Sequence, residues 1–471
     1  MLKLIIEKEL REIIGSTKFA LTFGVSALLI LLTFYAGAKN YHASMAQYHA
    51  AKAENLRKLE GLTDWMMVRN HRIFLPPQPL AVLVTGISND VGRTIEVAGR
   101  GELAAQESRF NEDPIYAVFR FLDLDFTFQI VLSLFAILFA YDAINGEKER
   151  GTLRLSFANA TPRATFILGK LLGSFSALAI PLLVPILLGV ALLPIMAVPL
   201  AGDNWIRLGL VVLAGLLYFG VFLTLSVLMS ALTQRSSSSF LLLLVTWVFA
   251  VLIVPRAAVL LAGRAVDVPS VDQIAAQKNR LRAQLWQEDR QKMSAFKPSA
   301  TGNAEEALKE FNQMMQTNAD EREQRMRELS TRLNEERHNR QMQQERVAFS
   351  LARISPTAAF SLAATNLATT ATSLKEHFVN EAHAYQQSYA AFIKEKTGMN
   401  LGGGFIMMRV QDREGEEEKP IDPRELPEFI YRQRPLTEGL DKAMIDLGIL
   451  SFFNLVFFAG AVAAFMRYDL R

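Results

Sequence analysis

Residues 208–232 read LGLVVLAGLLYFGVFLTLSVLMSAL, twenty-five positions without a charged side chain. The run is apolar in every register, so neither an amphipathic surface helix nor a half-buried strand accounts for it. A helix of about 20 apolar residues, rising about 1.5 Å each, crosses the hydrocarbon core of a bilayer. Five further runs qualify: Phe19–Ala38, Phe126–Ala143, Leu171–Val198, Phe240–Leu261 and Ile445–Phe465. The second is short. The third is overlong and carries Pro181, Pro185 and Pro194, which are expected to kink it. The fold expected is therefore mainly α: a polytopic membrane protein with six transmembrane helices.

Composition agrees. Of 471 residues 51% are hydrophobic, and the mean hydropathy is +0.18. The apolar residues are gathered in these blocks, with very polar stretches between them. A formal net charge of only +3 gives no bulk case for nucleic-acid binding. The absence of cysteine removes disulfides, thiolate metal sites and Cys nucleophiles together.

The first run has a basic flank and ends on Ala36-Gly37-Ala38, which looks like a signal-peptide cleavage site. The long, patterned segment before it favours an uncleaved anchor. Lys3, Lys8, Arg11 and Lys18 precede the first span. Lys148, Arg150, Arg154, Arg163 and Lys170 lie between the second and third, Arg235 between the fourth and fifth, and Arg467 and Arg471 after the sixth. Six alternating crossings put all of these on one side, the cytoplasm by the positive-inside rule, with both termini. Two long loops then face outward. The expected organisation is 1–18 interfacial helix, 19–38 first span, 39–125 first outer domain, 126–143 second span and 144–170 cytoplasmic segment. Spans three to five follow over 171–261, then 262–444 as second outer domain, 445–465 as last span and 466–471 as cytoplasmic tail.

Almost no ionisable residue falls within the spans; Gln129 and Asn454 are the notable polar groups. Ion-driven transporters and pumps need such groups, so energy is expected to arrive mechanically from outside the bilayer.

Two cytoplasmic elements stand out. In the first 18 residues Leu2, Ile6, Leu10 and Ile13 recur near helical spacing among charges, as in an amphipathic helix lying in the interface. The bland alternative is a basic flank that only sets topology. Between spans two and three, Gly146-Glu147-Lys148-Glu149-Arg150-Gly151-Thr152-Leu153 is a short, charged, helix-capable segment broken at Gly151. Thr161-Pro162-Arg163 and Gly169-Lys170-Leu171-Leu172-Gly173 follow it. Charges on a short rigid helix suit a groove on a soluble partner; the alternative is an ordinary turn with stop-transfer charges.

This pattern, with the amphipathic start and six spans, resembles the ABC-2 type permeases, and among them the relatives of the nitrous-oxide-reductase maturation permease that carry enlarged outer loops. The resemblance covers about half the chain. It implies a bacterial inner-membrane location and a coupling helix that receives the stroke of a separate cytoplasmic ABC ATPase. Carried over residue by residue, that role falls on Glu147, Lys148, Glu149, Arg150, Gly151, Thr152 and Leu153. It also implies a second permease copy or sister subunit and, by family expectation, export. The large outer loops depart from typical members and put any family substrate in doubt. The chain lacks the Gly-x-x-x-x-Gly-Lys-Ser/Thr phosphate loop. ATP and Mg would therefore be bound by the partner, with no catalytic residue, metal or cofactor here.

In the first outer loop a short helix after Tyr41 is expected, then some β structure at Ala81–Thr85 and Gly92–Val97, and a return at Tyr116–Phe126. In the second, Val271–Phe296 and Ala304–Leu351 read as a helical hairpin broken at Lys297–Asn303. Its second arm carries the i,i+4 pairs Glu321–Arg325, Glu323–Arg327, Glu328–Arg332 and Glu336–Arg340. The nearly uncharged run Ala358–Ser373 is expected as a helix near the outer leaflet lining a substrate exit, or packed within the outer domain. Gly402-Gly403-Gly404 reads as a flexible turn, Asp412–Lys419 as a charged turn, and Pro420, Pro423, Pro427 and Pro435 as an extended return. His377, Glu381 and His383, and Met407-Met408, are weak metal patterns; a solvated helix is the default. Besides transport, two functions compete: a mechanotransmitter working on a periplasmic partner through the outer hairpin, and a non-transporting scaffold or receptor.

Overall fold

The apolar runs become helices that outlast them. The computed structural model describes residues 1–68, 71–88, 91–97, 103, 105–106, 123–157, 162–200, 202–297, 304–397 and 420–467. Helix α1 (Leu2–Ile14) precedes α2 (Thr17–Arg57), the first span. The second span, Leu124–Glu149, is a column of α3 (Leu124–Phe126), a π-helical turn Thr127–Leu132, α4 (Ser133–Ala140) and α5 (Asn145–Glu149). After α6 (Thr152–Phe157) come the third and fourth spans, α7 (Arg163–Ile195) and α8 (Asp203–Leu232). The fifth is α9 (Ser236–Trp247), a π-helical turn Val248–Ile253 and α10 (Val254–Ala265). Helices α11 (Val271–Ala295), α12 (Ala304–Ala352), α13 (Pro356–Leu367) and α14 (Ser373–Thr397) lead to the last span, α15 (Leu436–Met466). These six helical columns are long and apolar enough to cross a membrane.

The spans outrun their apolar stretches where the flanking residues remain helix formers. Helix α2 continues through an Ala-rich polar stretch to Arg57. Helix α7 continues through all three prolines to Ile195. α8 is the most enclosed span, with Tyr218, Val221, Phe222 and Leu223 fully buried.

Near the end of the bundle where α2 leaves it, β1 (His71–Phe74), β2 (Thr94–Val97) and β3 (Ala105–Gln106) form an antiparallel sheet, with Ile73 opposite Ile95 and Ile95 opposite Ala105. Its core joins Ile73, Ile95 and Val97 to Leu59, Trp65, Phe378, Tyr389 and Ile393, so α14 covers it. The strand expected at Ala81–Thr85 does not form. Pro79–Val82 is a 3-10 turn, and Val82, Leu83 and Val84 are all buried, without the alternation a strand needs. Val82 lies so close to α2 that a β-carbon on Gly37 would sit 2.0 Å from its carbonyl oxygen.

Helices α11 and α12 make the expected hairpin, held by charges more than by a seam. Lys292 meets Glu321 at 2.9 Å, Arg325 meets Glu288 at 3.0 Å and Arg322 meets Asp289. Glu321 and Arg325 thus pair across the hairpin rather than with each other, while Glu323–Arg327 closes along α12 at 2.9 Å.

The helix expected within Ala358–Ser373 forms as α13, but it is not packed within an outer domain. It sits inside the bundle, against α8 and α15. Thr357 Oγ1 lies 3.1 Å from the Tyr218 hydroxyl, halfway along α8, and the Leu367 carbonyl accepts from Arg207 at the start of α8. α13 is therefore a re-entrant helix that begins about 20 Å along α8, at roughly 1.5 Å per residue. The Ala-rich sequence permits this: Ala358, Ala359, Ala363 and Ala364 are fully buried. The long α12 delivers the chain to that depth, and Arg353 fixes it with a two-pronged pair to buried Asp446, at 2.6 and 3.2 Å.

His377 Nε2 lies 2.7 Å from the Arg432 carbonyl, and no group of three metal-binding side chains occurs among the described residues. Gly402–Gly404, Met407-Met408 and Asp412–Lys419 lie outside the described residues.

Candidate functional site

α1, α5, α6 and the start of α7 gather at the end of the bundle where α1 begins and α15 ends. Close approach comes first. A β-carbon on Gly169 would lie 2.7 Å from Ile5 Cγ2, and one on Gly173 would lie 2.7 Å from Glu9 Cβ. Two glycines four apart thus form the groove that seats α1, the role such spacing serves between helices in membranes. The face of α1 turned to α7 comprises Leu2, Ile5, Ile6, Glu9 and Ile13. Leu10 is half-buried, while Leu4 and Ile14 stay exposed. Of the four apolar positions singled out on α1, Leu2, Ile6 and Ile13 lie on or beside this seam and Leu10 on its flank.

Between the glycines, Lys170 is only 2% exposed. Its ammonium donates to Glu9 Oε1 at 2.5 Å and pairs with Glu147 Oε1 at 2.7 Å; Lys8 reaches the same Glu147 oxygen at 2.7 Å. Glu9 and Glu147 are 5% and 1% exposed. Two carboxylates and two ammoniums therefore alternate, tying α1, α5 and α7 together. Burial pushes the Glu9 carboxyl above its usual range, against the pull of Lys170.

The remaining residues of the charged segment also face the protein. Lys148 reaches the Thr233 carbonyl at 3.3 Å, at the end of α8. Glu149 takes the Ser236 amide and hydroxyl, both at 2.9 Å, and so places a carboxylate at the amino end of α9. The Ser230 hydroxyl receives the amides of Ile144 and Asn145 at 3.0 Å each. Arg150 closes α5 by donating to the Gly146 carbonyl at 2.9 Å. Gly151 has φ +73° with open space around it, a left-handed turn that glycine takes without strain. Thr152 opens α6, and Leu153 is buried with Ile144, Phe166, Ile167 and Phe465. Arg163 donates to the Met466 carbonyl at 2.6 Å, capping α15.

The geometry makes a braced surface unit. Charges that read as free to meet a partner are mostly spent inside: Glu147, Lys148 and Glu149 fasten α5 to α1, α7, α8 and α9, and Arg150 and Gly151 form the exposed edge. Sequence reasoning missed Glu9 and Lys170 as members. Their signal was a carboxylate on the apolar face of α1 and a lone lysine in a glycine-flanked span start. What the arrangement does physically is link the short charged segment to the helices around it through ion pairs and hydrogen bonds.

No curated protein matches the chain. The sequence model of a family described as ABC-2 family transporter protein matches residues 4–470, nearly the whole length. With six spans, a braced unit at the terminal end and this match, the chain belongs to the ABC-2 family of transporter membrane proteins.

Proposed function

We propose that this chain is the permease subunit of an ATP-driven exporter, energised by a separate ATPase that docks on the terminal end of the bundle. On this reading that end is cytoplasmic, the membrane is the bacterial inner membrane, and the loop domains stand in the periplasm. A second copy or a sister permease completes the path. The carrying observation is the brace. A push on the Arg150–Gly151 edge reaches α1 and α7 through the shared Glu147 oxygen, and reaches α9 through Glu149. The unit would move as one body, which a coupling element requires.

The test is co-expression with an adjacent ATPase gene, followed by co-purification and ATPase assay. Arg150→Glu changes an exposed residue whose backbone-directed bond is local, so the permease should fold and lose the ATPase. Glu147→Lys is the wrong probe, because it disrupts the brace itself. Failure of the wild type to hold any ATPase would sink the transporter reading.

A second reading is favoured by α12. Its 49 residues run unbroken from the hairpin to the bundle core, about 74 Å at 1.5 Å per residue. A rod anchored at Arg353 would carry bundle motion to a periplasmic partner, as a mechanotransmitter. Severing the rod by inserting a flexible Gly-Ser segment near residue 330 should spare a pure transporter and abolish a mechanical one.

A further inference from the structure

The most anomalous group in the molecule is a carboxylate far from the brace. Asp125, at the start of the second span, is 8% exposed. Its Oδ2 accepts from Gln129 Nε2 at 2.7 Å and from Ser361 Oγ of re-entrant α13 at 2.8 Å. Its Oδ1 is buried and has no hydrogen-bond partner. No ammonium or guanidinium pairs with it among the described residues. Elsewhere in the bundle Asp446 has Arg353, and Glu9 and Glu147 have Lys170, while buried Asp123 has two backbone amides, one on each oxygen.

We propose that Asp125 is a proton-binding site, with the proton on its free Oδ1, at the joint between the second span and α13. An ionised carboxylate cut off from water without a cation is strongly disfavoured, and the usual relief is uptake of a proton. A metal ion is a poorer occupant. It wants several oxygen ligands, and no group of three acidic or imidazole side chains occurs among the described residues.

The surroundings support the neutral acid. The charged neighbour on its own element is Asp123, whose Oδ1 and Oδ2 accept the amides of Phe126 and Thr85. Adjacent like charges disfavour ionisation of both. α8 presents the Tyr218 hydroxyl, already committed to the Gln129 carbonyl at 2.9 Å. α2 presents Thr33 against Thr127, the turn at Pro79–Val82 is uncharged, and α13 carries no titratable residue. The competing account is an ionised carboxylate held by the helix amino end. Against it, Asp123 already caps that end, and both bonds of Asp125 go to side chains.

Asp125–Ser361 links the column that carries Glu147 and Glu149 at its other end to α13. Movement of α13 away from the column would admit water, and the acid would then pass its proton to water and become a carboxylate. The inference needs no substrate and does not depend on the ATPase reading.

The test uses the full-length protein in lipid nanodiscs. Infrared spectra at neutral pH should contain a carboxylic-acid C=O band that Asp125→Asn removes completely and Ser361→Ala shifts, since Ser361 donates to that carboxyl. The folded state would hold a proton that an unfolded aspartate releases above about pH 4. The wild-type unfolding midpoint should therefore fall as pH rises, relative to Asp125→Asn. Should Asp125→Asn fail to fold, the Ser361→Ala shift decides. Absence of the band, or parallel pH profiles, overturns the proposal in favour of an ionised helix-start carboxylate. A midpoint raised by sodium ion in wild type only overturns it in favour of a metal-ion site.

Discussion

Replacing Lys170 with methionine tests the brace by leaving two buried carboxylates to find other partners. Glu147 keeps Lys8 at 2.7 Å. Among the described residues Glu9 keeps no ion pair, so it is the orphan. Its least costly escape is to take up a proton. From an ordinary value of 4.5, protonation at pH 7 costs about 3.4 kcal/mol, at 1.36 kcal/mol per unit. That agrees with the roughly 3–5 kcal/mol typical of breaking a buried pair by removing one partner. The same reasoning sets a pH dependence. At pH 5 the proton costs only about 0.7 kcal/mol, so most of the penalty should vanish. The assay is reversible unfolding of purified Lys170→Met and wild type at both pH values, with hydrogen exchange across residues 2–14. Amides of α1 should lose protection at pH 7 and regain most of it at pH 5. A penalty below about 1 kcal/mol at pH 7, or one that does not change with pH, would refute the argument that this network fixes α1.

Two further outcomes follow from packing and burial. A β-carbon on Gly189 would lie 2.4 Å from the Phe34 ring, whereas nothing lies within 4 Å of one on Gly209. Gly189→Ala should cost about 1–3 kcal/mol, and Gly209→Ala should be neutral or gain up to about 1 kcal/mol; thermal midpoints of the two variants check this. His71 is buried with Nε2 at 2.9 Å from the Tyr385 hydroxyl, which itself donates to the Pro427 carbonyl at 2.8 Å. Burial pushes its imidazole down to about 4 from 6.5. The unfolded chain therefore binds the extra proton first, and stability is lost as pH falls from about 6.5 towards 4. His71→Gln should flatten that loss, read by hydrogen exchange in α14.

The outward architecture was legible because its signals are local. Uncharged runs such as 208–232 fix a span whatever surrounds them, and the broken pattern around Lys297–Asn303 marks the hairpin. The apolar face of α1 was equally readable from Leu2, Ile6 and Ile13. The charged segment was found, but the contacts its charges make within the chain were not. Spacing shows that Glu147 and Glu149 carry charge, but it does not show that one is buried against Lys170 and the other caps a helix nearly ninety residues later. Such pairings depend on which helices touch.

The same limit explains Ala81–Thr85 and α13. An apolar pentapeptide suits a strand or a buried turn, and only α2 pressing on Val82 decides between them. A helix of alanine and threonine suits an interface or a core, and what placed it in the core is the length of α12, the Arg353–Asp446 pair and the space beside Tyr218. Sequence by itself determined which segments leave water, since transfer free energy is summed along the chain. Tertiary structure alone decided which polar groups go with them, since burying a charge becomes tolerable only when a partner from a distant segment meets it.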